Sequence, residues 1–330
     1  MSKHAAFKGR HALITGGAGF LGSNLAIALV GQGCNVTLVD SFLPGHGANR
    51  YNLEPIRDAA RLNIADIRDA CSMNQLVRDT DYIFHLAGQV NHVDSIRDPL
   101  LDLDINCRGS LVLLEACRNH NPQAIVVFSG TRGQYGPSTK LPVDEDHAMN
   151  PKGMYAITNL TAEKMFQAYH RVHGVRSVCL RITNTYGPRH QMKHDQYGVV
   201  NWFVRRALAR ETIEVMGDGH ILRDYLFIDD TVRAMMDVAL EPACYGEVFN
   251  VGGGKPTSFI ELAKLVVDLA GEGSYRFTEF SRERKALEPG DYVADVRKIL
   301  GAVGWRPELE LREGLTRTIA YYRTHGRYYW

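Results

Sequence analysis

The stretch LITGGAGFLG, Leu13 to Gly22, limits the possible folds of this chain more than any other. It joins an apolar run to a long helical one through Gly16, Gly19 and Gly22, one glycine at every third position. Glycine permits a tight turn and lets the backbone approach an anion, and a helix that starts there points its positive end at the same place. A strand, such a turn and a helix together make the pyrophosphate half of a dinucleotide site. The second apolar run, NVTLVD, ends at Asp40, eighteen residues after Gly22. A carboxylate there accepts hydrogen bonds from a ribose diol and repels a 2′-phosphate, so the expected cofactor is NAD rather than NADP. The competing reading of Asp40 is a surface carboxylate that ends a strand.

The alternation continues along the first half. HALITGG, NVTLVD, YIFHLAG, AIVVFSG and SVCLRITN are largely apolar runs, and FLGSNLAIALVGQG and INCRGSLVLLEACRNH between them have helical spacing. Strands without a polar face, separated by helices, form a parallel sheet covered on both sides. The expected fold class is α/β, a Rossmann-type doubly wound parallel sheet. At 330 residues the chain exceeds one ordinary domain. After Pro188 the polar, His-rich RHQMKHDQYG reads as a loop and VVNWFVRRALAR as a helix. The expected division is a NAD-binding domain over 1–186, with return segments from about 224–245, and a smaller α+β C-terminal substrate lobe over 187–330. LRDYLFIDDTVRAMMDVAL reads as a strand leading into a helix capped by Asp229 or Asp230.

Composition excludes several classes. The formal net charge is +1 and there is no dense basic run, so nucleic acid is not an expected partner. No apolar run approaches a membrane span and the N-terminal residues lack a signal-peptide core, which leads to the expectation of a cytoplasmic protein without a membrane partner. Six cysteines stand singly, with no zinc-ligand spacing, and are expected to be free thiols with no metal.

The segments TGGAGFLG, HLAGQV, FSGTRGQYG, YAITNLTAEK, LRITNTYGPR, GDGHILRDYLFIDD, EPGDYVAD and LGAVGWRP follow one another along nearly the whole chain. In them the sequence resembles the extended short-chain dehydrogenase/reductases that act on nucleotide sugars, the group of UDP-galactose 4-epimerase and its relatives. The resemblance implies that Phe20 and Leu21 join the glycine turn at the cofactor, with Leu86, Ala87, Gly88 and Asn106 along the dinucleotide and Asp66 and Ile67 near the adenine. It places the catalytic roles on Thr131, which would hold the sugar oxygen, and Tyr155, which as tyrosinate would take the hydroxyl proton. For the nucleoside diphosphate sugar it implies contacts from Gln89, Thr131, Arg132, Asn184, Arg189, Val199, Val215, Arg223 and Arg284, with Arg223 on the diphosphate and Tyr225 along the cleft. It also implies a homodimer.

Two departures stand out. Where the family carries a lysine one helical turn after the tyrosine, this chain has Asn159. A free tyrosine has a pKa of about 10, so removing the neighbouring cation costs roughly 10- to 1000-fold in available tyrosinate. The oxidised cofactor, Arg132 or Lys152 is expected to supply the charge instead, and Asn159 to bond the ribose at both cofactor and catalytic ends of the site. Lys164, nine residues after Tyr155, lies on the opposite side of the helix. Second, Glu288 precedes PGD where many relatives carry a phosphate-binding arginine. Thr131 is followed by Arg132 and Gly133 rather than the Asp-Glu pair of the dehydratases, so epimerisation at C4 is the leading expectation. The alternatives are a nucleotide-sugar dehydrogenase, reductase or dehydratase, and a non-catalytic NAD-binding sensor or scaffold.

Overall fold

In the computed structural model, which describes residues 3–195 and 197–330, seven strands form one wholly parallel sheet. From one edge to the other they are Val248–Val251, Arg176–Ile182, Ile125–Thr131, Tyr82–His85, His11–Thr15, Asn35–Asp40 and Ala60–Ile64. Every neighbouring pair is parallel, and the expected α/β doubly wound class is observed. Successive residues explain why the inner strands are covered on both faces. Ala12 and Ile14 pack with the helices Phe20–Gly31 and Ile228–Ala239 on one side, whereas Leu13, Ile83 and Val126 pack with Gly109–His120 and Met154–His173 on the other.

The strand order reverses between His11–Thr15 and Tyr82–His85. At such a point the chain leaves the two strands in opposite directions, which opens a crevice at their carboxyl ends. The glycine turn and Leu86–Gln89 sit there. The last sheet strand, Val248–Val251, lies just past the segment 224–245 that was expected to return to the sheet.

The rest of the C-terminal half is built on small pairs. Thr212–Met216 runs parallel to Ser274–Thr278, Asn184–Tyr186 runs parallel to Tyr225–Phe227, and Leu222–Arg223 opposes Thr257–Ser258. The helices Val199–Leu208, Phe259–Ala270 and Leu311–His325 cover them.

One expected cap is corrected. The helix Ile228–Ala239 begins after Phe227 with no side-chain cap, and Asp229 and Asp230 lie within its first turn. Asp230 accepts instead from the backbone N–H groups of Glu308 and Leu309, both at 3.0 Å, which ties the C-terminal segment to the helix. Among the described residues no helix is long and apolar enough to cross a membrane.

Candidate active site

A cavity of about 640 Å³ runs from the glycine turn to the C-terminal half. Gly16, Gly19, Phe20, Leu21, Gly22, Asp40, Asp66, Ile67, Leu86, Ala87, Gly88, Asn106, Tyr155 and Asn159 all line it. Gly16 has φ +68°, and a Cβ there would stand 2.8 Å from the Ala87 nitrogen. A Cβ on Gly22 would stand 2.2 Å from the Gly16 carbonyl oxygen, a backbone clash that no side-chain shift relieves. The turn is thus drawn tight against the strand end, and the first turn of Phe20–Gly31 has no side chain capping it. Open N–H groups and a close-packed glycine turn fit a dinucleotide pyrophosphate. Gly22→Ala is expected to abolish NAD retention, read by cofactor content after purification.

Asp40 accepts from Ala18 N–H at 3.1 Å through one oxygen and from Phe42 N–H at 3.0 Å through the other. Those bonds aim the carboxylate while each oxygen keeps a lone pair for a ribose hydroxyl. Burial raises its pKa against these two bonds. Asp66 is held by Arg68 at 2.9 and 2.7 Å, and the arginine keeps it ionised against partial burial. Asn106 lies in a π-turn, Asp104–Arg108, and its amide bonds both the N–H of Gln89 at 2.8 Å and its carbonyl at 3.2 Å. It shapes the loop that follows Gly88. Gln89 lines the cavity too, but its own amide closes onto the Asn91 backbone.

At the centre of the cavity Thr131 ends its strand and Tyr155 begins its helix. Burial raises the pKa of the Tyr155 phenol, the Thr131 hydroxyl draws it down, the Asp102 charge raises it and Arg132 lowers it. Thr131 is the stronger of the two influences that favour tyrosinate. Asn159 supplies none: its amide N–H bonds the Tyr155 carbonyl at 2.8 Å. Of the two cations expected to compensate, Arg132 acts on the phenol, whereas the Lys152 ammonium is bonded to the Glu288 carbonyl at 3.0 Å. Lys164 points away, bonded to Gln167.

The sequence did not signal His92, whose ring meets Tyr155 edge-on with centroids 4.5 Å apart, or Asp102, whose carboxylate accepts from Thr158 at 2.5 Å. A polar network behind Thr131 was also missed. Thr131 N–H donates to Gln134 at 2.9 Å, Gln134 donates to Glu163 at 2.9 Å, and Glu163 is gripped by Arg181 through two bonds of 2.8 Å. The spacing Thr131-x-x-Gln134 of a capping box was its one legible sign.

The expected substrate residues divide. Gln89, Thr131, Arg132, Asn184, Val199, Arg223 and Arg284 line the cavity; among the described residues Arg189, Val215 and Tyr225 do not. Val215 is fully buried because successive strand residues face opposite ways, and its neighbours Glu214 and Met216 take the cavity side. Tyr225 is likewise buried in the short strand pair. Arg189 turns to Asn24 at 2.9 Å and stacks over Tyr321. Arg223 is buried with its guanidinium on Glu288 and on the carbonyls of Leu222 and Gly290, so the arginine expected on the diphosphate and the acidic residue that precedes PGD are partners. Arg284 is paired with Asp195 at 2.6 Å. Among the described residues no cluster of His, Cys, Asp and Glu forms a metal site.

Comparison with known proteins supplies relatives over nearly the whole chain. The UDP-glucose 4-epimerase of Mycolicibacterium smegmatis is 32% identical over 320 residues, 96% of this chain and 99% of that one. The solved UDP-glucose 4-epimerase of Thermotoga maritima, with UDP-glucose, superposes with a TM-score of 0.86 at 32% identity over 96% of this chain and 99% of the other. A dTDP-glucose 4,6-dehydratase of Streptomyces venezuelae, solved with NAD, superposes with a TM-score of 0.88 at 27% identity over 97% and 98%. Residues 12–252 match the model of the NAD dependent epimerase/dehydratase family. That match spans most of the chain, and with these relatives it shows that the chain belongs to the NAD-dependent epimerase/dehydratase family.

Proposed function

We propose that this protein is a 4-epimerase of a nucleoside diphosphate sugar. The observation that carries the reading is the meeting of Thr131 and Tyr155 in a single cavity that extends from Asp40 to Arg284. NAD held by the glycine turn and Asp40 would supply the hydride acceptor and donor for the sugar carbon. Thr131 holds the sugar oxygen, and Tyr155 takes its proton and later returns it. Thr131 is followed directly by Arg132 and Gly133, so the acid and base that water removal needs are missing from that place, which favours oxidation followed by reduction from the other face.

The experiment is a screen of UDP-, dTDP-, CDP-, GDP- and ADP-sugars, with products read by NMR and reduced nicotinamide by absorbance. An epimer formed without net change in absorbance supports the reading; stoichiometric NADH would make the protein a dehydrogenase. Asn159→Lys places a cation one turn from the phenol and is expected to raise turnover at pH 7 by about tenfold or more. An unchanged or lower rate would assign the base to another group.

The engaged amide of Asn159 favours a second reading, a sensor that binds NAD without turnover. It predicts tight NAD retention with conversion of none of the sugars. We also propose a homodimer: Ile96, Leu100, Leu103, Leu111 and Ile157 are exposed on helices of one face, Leu100 by 77%. Light scattering is expected to give twice the chain mass of 36.9 kDa.

A further inference from the structure

Two polar side chains beside the reacting pair have no protein partner for their outward donors. Arg132 gives its Nε–H to Asn184 at 3.1 Å and lies over the Tyr292 ring at 5.3 Å. Among the described residues no carboxylate forms an ion pair with it. The nearest acids are engaged elsewhere: Glu288 holds Arg223 and the Gly290 N–H, and Asp224 accepts from Thr183, Gly254 and Ala294. Burial and Arg223 push the Arg132 pKa down to about 10, which still leaves it charged at neutral pH. His92 touches Tyr155 edge-on, and its ring nitrogens meet no hydrogen-bond partner among the described residues. Its side chain is exposed to the cavity, and the protein packed around it together with the Arg132 charge holds its pKa down at about 4, so the ring is neutral.

A cation deep in a protein is costly without an opposite charge, and one that faces a ligand cavity can receive that charge from the ligand. The place on the ligand follows from the neighbours. Arg132 directly succeeds Thr131 and His92 rests on Tyr155, so both stand at the reacting sugar, whereas Arg223 and Arg284 belong to the C-terminal wall of the cavity.

We propose that Arg132 and His92 form a subsite for a carboxylate on the sugar ring, which makes the substrate class the nucleoside diphosphate uronic acids. The proposal rests on the reading of Thr131 and Tyr155 as the pair that faces the sugar hydroxyl. The guanidinium fork matches a carboxylate with two parallel N–H bonds, and neutral His92 adds one donor. A ketone at C4 lies β to a carboxylate at C6, a compound prone to lose CO2. Arg132 keeps the carboxylate electrons on oxygen, so the C5–C6 bond stays intact while the ketone returns to a hydroxyl. Pairing Arg132 in this way takes little from Tyr155, on which Thr131 acts more strongly.

Titration calorimetry on the NAD-loaded protein compares UDP-glucuronate with UDP-glucose and UDP-galacturonate with UDP-galactose, and NMR follows conversion of all four. The acid of each pair is expected to bind at least about tenfold tighter, and Arg132→Gln to cut that preference by roughly 10- to 100-fold. Retained NAD reports that the variant is folded. Should it not fold, Arg132→Lys, which keeps the charge and loses the fork, is expected to reduce the preference in part. Equal or tighter binding of the neutral sugars, no binding of either acid, or a preference untouched in a folded Arg132 variant overturns the proposal. A preference for acids with no conversion of any sugar supports the subsite and overturns the epimerase reading instead.

Discussion

Tyr155→Phe is expected to lower turnover by roughly 10²- to 10⁴-fold, the usual contribution of a positioned acid or base. The substitution removes one oxygen and keeps the ring that packs on His92, so the loss reports proton transfer rather than packing. The wild type carries a pH signature of the same group. Only the deprotonated phenol acts as base, and burial lifts its pKa above the ordinary tyrosine value. The kcat/KM of the wild type is therefore expected to climb through neutral into alkaline pH, and the residual activity of Tyr155→Phe to lose that slope.

Glu163→Gln is expected to destabilise the fold by about 3 to 5 kcal/mol, the cost of leaving one member of a buried ion pair alone. Arg181 and Glu163 are 3% and 1% exposed, and the variant leaves the guanidinium buried without its counter-charge. Lys164 approaches Glu163 at 3.4 Å from the surface and cannot take the carboxylate's place. Burial works to raise the Glu163 pKa, but the Arg181 bonds and charge outweigh it and the net shift is downward. This stability is present above the ordinary carboxylate pKa and is lost as pH falls through the lowered one. Chemical denaturation at pH 7 measures the difference. Because Gln134 links Glu163 to Thr131 N–H, the same variant is expected to lower activity in the fraction that remains folded.

The architecture was legible because its signals are local. Strands apolar on both sides require cover on both sides, and three glycines between a strand and a helix admit few other uses. Asp40 was readable for the same reason, since its place at the end of the second strand is counted along the chain. The pairings that span long separations were not readable. Nothing in a sequence brings Glu288 to Arg223, sixty-five residues away, or His92 to Tyr155. Val215 shows a different limit: in a strand as short as Thr212–Met216 alternation is evident, but which face meets the cavity is decided by the partner strand and the covering helices. The side chain of Asn159 could have pointed to the cofactor or to its own helix, and only the structure shows its amide on the Tyr155 carbonyl.

The most direct test of the account follows one hydrogen. A nucleotide sugar that the protein converts is prepared with deuterium at C4 and turned over to equilibrium in ordinary water. The account predicts that the label stays at C4 in both epimers, since the atom leaves and returns as hydride and never exchanges as a proton. Loss of the label to water would show that the carbon is inverted by proton exchange, and would contradict the role given to Thr131, Tyr155 and the NAD-binding turn together.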